Sequence, residues 1–93
     1  MMEVKKIEVG SKVKWVSQSQ GSVKEKAGIV HAVVEAGANA MSLLPTGIVS
    51  SQIKFDTWRS LHKRYIIAVP RGGKSQKIDY YCPRVGDLQL RND

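Results

Sequence analysis

A chain of 93 residues can hold one hydrophobic core and leaves no room for a second, so residues 1–93 are read as a single domain. A composition 42% hydrophobic and 25% charged is that of a folded globular protein, which excludes a disordered chain, and no apolar stretch approaches the roughly 18 to 20 residues of a bilayer span. Fifteen Lys and Arg against eight Asp and Glu leave a net charge of +7, which points to an anionic partner. The opening residues Met1-Met2-Glu3-Val4-Lys5-Lys6 lack the continuous apolar core of a signal peptide, so a cytoplasmic chain with no membrane partner is expected. Cys82 is the single cysteine, so no internal disulfide can form, and it is expected as a small core residue.

Along the chain, Gly10-Ser11-Lys12-Val13-Lys14-Trp15-Val16 alternates Val13 and Trp15 with Lys12 and Lys14, the period of a half-buried strand. Residues 17–26 are polar, contain Gly21 and show no apolar period, so a contact loop is expected. The β-branched run Gly28-Ile29-Val30-His31-Ala32-Val33-Val34-Glu35 predicts a second strand, with Val30, Ala32 and Val34 on one face and Gly37 beyond its end. Residues 38–63 carry no sustained period and are read as a long insertion. Within it Pro45-Thr46-Gly47 marks a turn, and Ile48, Val49 and Ile53 suggest an extended piece along the sheet edge. Asp56 is placed to cap a short helical turn aligning Phe55, Trp58 and Leu61. Arg64-Tyr65-Ile66-Ile67-Ala68-Val69 predicts a third strand, stopped by Pro70 and turned by Arg71-Gly72-Gly73-Lys74 into a fourth over residues 77–82. There Ile78, Tyr80 and Cys82 should point inward and Lys77, Asp79 and Tyr81 outward. Pro83 ends that strand, residues 85–88 form a tight turn, and Leu88-Gln89-Leu90 supplies a short last strand. The expected core is Val13, Trp15, Val30, Val34, Ile67, Ile78 and Tyr80.

Five short strands, the first led by glycine, describe an all-β fold: a small five-stranded SH3-like barrel with a long insertion between strands 2 and 3. The segments Trp15-Val16-Ser17-Gln18-Ser19-Gln20-Gly21-Ser22, Tyr65-Ile66-Ile67-Ala68-Val69 and Tyr81-Cys82-Pro83-Arg84-Val85 resemble a group of small uncharacterised bacterial and prophage proteins. Gly10-Ser11-Lys12-Val13 and Gly28-Ile29-Val30 are similar to the glycine-led strands of Tudor and KOW barrels. That resemblance implies a barrel binding nucleic acid or protein tails. It implies no reaction, because a fold hosts many functions.

The positive charge is local. Residues 54–77 hold Lys54, Arg59, Lys63, Arg64, Arg71, Lys74 and Lys77 against one acid, Asp56. Gly72 and Gly73 suit a hairpin tip that leaves Arg71 and Lys74 to meet phosphates. Trp58 beside Lys54 and Arg59, and Tyr81 beside Arg84, join a ring that can stack on a base to cations that pair with phosphate. Trp58 fits packing against Phe55 and Leu61 equally well. The expected nucleic-acid-binding set is therefore Lys54, Trp58, Arg59, Lys63, Arg64, Arg71, Lys74, Lys77, Tyr81 and Arg84.

Chemistry has little to stand on. His31 alternates outward on its strand, and His62 sits in the basic tetrapeptide His62-Lys63-Arg64-Tyr65, which suits phosphate contact better than proton transfer. Two histidines and one cysteine lie far apart in sequence, without the short ligand pairs of a zinc site, so no metal or other cofactor is expected. The stretch Arg71-Gly72-Gly73-Lys74-Ser75 lacks the spacing of a nucleotide-binding phosphate loop. The expected function is a non-enzymatic binding module of bacterial or phage origin, whose basic face meets nucleic acid or a nucleoprotein complex. Two alternatives compete: an interaction or inhibitor module docking on an acidic surface of a host protein, and a small ribonuclease toxin using His62.

Overall fold

The computed structural model describes residues 7–19, 22–55, 58–83 and 85–91. Five strands, β1 (Lys12–Ser19), β2 (Ser22–Val34), β3 (Arg64–Pro70), β4 (Ile78–Tyr81) and β5 (Gln89–Leu90), form one antiparallel sheet in the order β4-β3-β2-β1-β5. Among the described residues there is no α-helix, only short 3-10 turns at Ala40–Leu43, Ser50–Gln52 and Val85–Asp87. None of this is long and apolar enough to cross a membrane as a helix. The all-β expectation holds. The sheet is open, with β4 and β5 as its two outer strands and no ladder joining them.

The loop expected over residues 17–26 is instead a strand pair. β1 continues to Ser19, β2 begins at Ser22, and the two pair in unbroken register from Lys12↔Ile29 to Ser19↔Ser22. Gln20 and Gly21 lie outside the described residues. Lys24 and Glu25 are exposed, and a segment held by its backbone ladder needs no apolar alternation.

β2 is shared between two neighbours. Residues 22–29 pair with β1 and residues 29–34 with β3, and Ile29 faces Lys12 on one side and Ala68 on the other. The turnover is tight at Gly28. A Cβ there would run into the Ala68 carbonyl oxygen and lie 2.9 Å from Cγ2 of both Ile67 and Val69. Glycine is required because another backbone crosses where a side chain would stand.

Just beyond, the register shifts between Val30 and Ala32, so one extra residue, His31, sits opposite β3. Such a bulge reverses which face the following residues use. Val30 and Val33 accordingly pack in one cluster with Val13, Trp15, Tyr65, Ile67 and Leu88, whereas Ala32 and Val34 pack in a second with Ala40, Ile66 and Tyr80. The single face expected for Val30, Ala32 and Val34 is thus divided between the two sides of the sheet. β3 is buried on both sides, with Tyr65, Ile66 and Ile67 all inside. Of the expected core, Val13, Trp15, Val30, Val34, Ile67 and Tyr80 are buried, but Ile78 is 36% exposed, since it sits at the open end of β4 beside the hairpin tip.

The long insertion supplies the cover for the second face. Ala38, Leu44, Ile48 and Phe55 pack on Val34, Ile66 and Tyr80, and Asn39 fixes the first 3-10 turn by accepting a 2.9 Å bond from the Met41 amide. The extended piece expected from Ile48, Val49 and Ile53 is present only at Ile53, because Ser50–Gln52 form a 3-10 turn between them: Ile53 makes a parallel bridge to Tyr80, and the Lys54 amide donates to the Tyr80 carbonyl at 2.8 Å. Gln52 Nε2 donates to the Ile78 carbonyl at 2.8 Å, so the outer edge of β4 is partly covered rather than open to pairing. Among the described residues 58–61 no helical turn is formed. Phe55 is half-buried while Trp58 and Leu61 are exposed, and the capping residue Asp56 lies outside the described residues.

Candidate functional site

The β3–β4 hairpin sets out the first part of the site. After Pro70 the chain turns through Gly72 and Gly73, at φ 87° and 61°, conformations open to glycine. The turn is closed by the Arg71 amide donating to the Lys77 carbonyl at 3.0 Å and the Ser75 amide to Gly72 at 3.2 Å. Lys74 and Lys77 are exposed on it. Arg71 is not available as a simple phosphate contact. Its guanidinium folds back onto Asp79, Nη2 to Oδ1 at 2.7 Å and Nε to Oδ2 at 3.3 Å, the two-pronged geometry that suits arginine and carboxylate.

Asp79 corrects a second expectation, since it is buried and does not point into solvent. A charge placed so must be paired, and Arg71 is the partner. That hydrogen bond holds the Asp79 carboxyl below the usual carboxylate range against the opposing effect of burial, with further pull from the charges of Arg71, Lys54 and Lys26. Two lysines distant in sequence therefore act electrostatically on one carboxylate of β4. Lys54 reaches it from the insertion, through its own backbone bond to Tyr80, and Lys26 from β2.

Lys26 was hidden from sequence reasoning because residues 17–26 read as a loop. As a strand residue it lies opposite Trp15, and its Nζ stands 5.0 Å from the centre of the Tyr81 ring. Tyr81 in turn meets Trp15 edge to face, with ring centres 5.5 Å apart. Tyr81 is thus half-buried between an indole and an ammonium, on a packed face of the sheet and not on a bare one. Its expected partner Arg84 lies outside the described residues.

The remaining basic residues are elsewhere. Arg64 is only 6% exposed, so it belongs to the interior of the sheet. Trp58, Arg59, His62 and Lys63 are exposed near the start of β3, whereas Arg71, Lys74 and Lys77 lie at its far end. Seven strand residues at about 3.3 Å each place some 20 Å between these groups. What reads as one basic run in sequence becomes two surfaces. Lys63 Nζ stands 5.7 Å from the Tyr65 ring centre, and Arg59 Nη1 donates to the Gly37 carbonyl at 3.1 Å.

A comparison of the chain with protein-family models, with curated proteins and with solved structures finds no match. What this surface can do therefore follows from its own chemistry. His31 is half-buried and packs edge to face on Tyr80 at 5.5 Å, while His62 lies on the other surface. Among the described residues no three His, Cys, Asp or Glu side chains converge as metal ligands. Burial pushes the Cys82 thiol up, only partly countered by the charge of Arg64, so it is a poor nucleophile at neutral pH. The groups the surface does offer are ammonium ions, which attract anions, and aromatic rings, whose faces stack on planar groups.

Proposed function

We propose that this chain is a non-enzymatic nucleic-acid-binding module of SH3-like type, whose phosphate contacts come from Lys26, Lys54, Lys74 and Lys77 around β4. One observation carries the reading: three chain segments remote in sequence bring cations to β4, with Lys26 Nζ over the Tyr81 ring, Lys54 joined by its amide to the Tyr80 carbonyl and Arg71 paired with Asp79. The other cations are left in excess, and a local excess of fixed positive charge draws phosphate backbones. The β4-β3-β2-β1-β5 meander, with β2 shared between β1 and β3, supports the SH3-like part of the proposal.

The test is a titration against fluorescent single-stranded and duplex oligonucleotides over a salt series. Contact of four lysines with phosphates releases counterions, so log K should fall linearly with log salt at a slope of about −2.8 for the single strand and −3.6 for the duplex. Absence of binding to either form at low salt would overturn the proposal. An acidic protein would then be the partner to seek.

A further inference from the structure

We infer that the nucleic acid is bound unpaired, with one of its bases stacked on Trp58 at a contact separate from the β4 surface; this rests on the nucleic-acid reading above. Trp58 is 53% exposed and Leu61, three residues on, is 88% exposed, although the loop that carries them is fixed in place. The Ala40 amide donates to the Trp58 carbonyl at 2.8 Å and the Gly37 amide to the Ser60 carbonyl at 2.7 Å. The His62 amide donates to Ser60 Oγ at 3.1 Å, and Arg59 is anchored on Gly37. The backbone is thus ordered while its largest apolar side chains remain in water. An ordered, exposed indole binds without the cost of first ordering the loop.

Charge selects the occupant. Arg59 follows Trp58 and Lys63 lies two residues after Leu61, against the one acid Asp56 before them, and from residue 57 to 78 the chain has no further acid. A second copy of this +7 chain would bring the same cations against these, so self-association is disfavoured and an anion is favoured. Among nucleic acids the ring discriminates further. In a duplex the base faces are stacked on one another and only edges and phosphates are offered, whereas an unpaired strand presents a face to an indole.

The two tryptophans make the test selective. Trp15 is 5% exposed and wedged against Tyr81, so a change in emission that disappears in Trp58→Phe reports Trp58 alone. The probe is an oligothymidylate of about twelve nucleotides, within the span such modules cover, with a duplex of equal length in parallel. On adding the single strand, wild-type emission should be quenched and become protected from acrylamide. Trp58→Ala should weaken single-strand binding roughly five- to hundredfold, leave duplex binding unchanged and melt with the wild type, and Trp58→Phe should retain part of the affinity. If wild type binds neither probe, the nucleic-acid reading itself fails and takes this inference with it. If it binds both probes but Trp58→Ala binds the single strand as tightly as wild type, the stacking contact alone is overturned. A blue shift of Trp58 emission on anionic phosphatidylserine vesicles, with no response to oligonucleotide, would also overturn it and assign the loop to a bilayer surface.

Discussion

Replacing Gly28 by alanine adds one methyl group at the point where β3 crosses β2. Its two nearest carbons, Cγ2 of Ile67 and of Val69, would stand 2.9 Å away, and the Ala68 carbonyl oxygen would block it outright. Unstrained carbons sit about 3.5 to 4.0 Å apart, so β3 must retreat by at least about 0.6 Å, and a backbone carbonyl cannot rotate aside as a side chain can. Overpacking of this kind costs about 1–3 kcal/mol, offset by about 0.4–1 kcal/mol because alanine restricts the unfolded chain. A net loss of about 1.3 kcal/mol lowers the melting temperature of a domain this size by roughly 5–10 °C. Gly86→Ala is the control, since a Cβ there meets nothing within 4 Å, and it should melt with the wild type or slightly above it. Melting is followed by circular dichroism. A Gly28→Ala protein as stable as the wild type would refute the close crossing, and with it the sharing of β2 between β1 and β3.

Burial of β3 on both sides predicts that Ile66→Ala and Ile67→Ala each cost about 2–5 kcal/mol in denaturant unfolding; a near-neutral Ile66→Ala would mean that the insertion does not cover the second face. Because the Asp79 carboxyl is depressed in the folded state, its contribution to stability is complete above its unfolded value, about pH 4, and is lost as pH falls through the lower folded value. Asp79→Asn should therefore flatten the acid limb of a stability profile measured between about pH 2 and 5, and an unchanged limb would show that the Arg71 pair is not made in solution. The raised Cys82 thiol should react with iodoacetamide at a rate still climbing above about pH 10, where an ordinary thiol, near 8.5, has levelled off; a plateau there would contradict its burial.

The strands that separate a wet face from a dry one were legible from sequence: Val13 and Trp15 against Lys12 and Lys14 mark β1, and Pro70 with Gly72-Gly73 marks the hairpin. Three physical features were not. The paired segments 17–19 and 22–26 have no apolar period to betray them, which also concealed Lys26. A single bulged residue, His31, reversed the faces of everything after it in β2. The insertion packs through Ala38, Ala40, Leu44, Ile48 and Phe55 at irregular spacing on short 3-10 turns, so neither a helical nor a strand period could reveal that it covers the sheet. The site followed the same pattern. The composition of residues 54–77 announced a basic surface, but only the sheet order separates Trp58, Arg59 and Lys63 from Lys74 and Lys77, withdraws Arg64 into the interior and commits Arg71 to Asp79.

The most direct measurement of the proposed function is the salt slope of nucleic-acid binding for wild type and for a variant carrying Lys26→Gln and Lys54→Gln, residues that sequence separates and the fold brings to β4. If both contact phosphate, the variant should bind more weakly at low salt, and the slope of log K against log salt should shrink by about two phosphate contacts, roughly 1.4 to 1.8. Lys54 is exposed and Lys26 half-buried, and surface substitutions of this kind change stability by about half a kcal/mol, so the melting temperature should move little. An unchanged slope in a folded variant would show that the cations gathered around β4 are not where the strand lies.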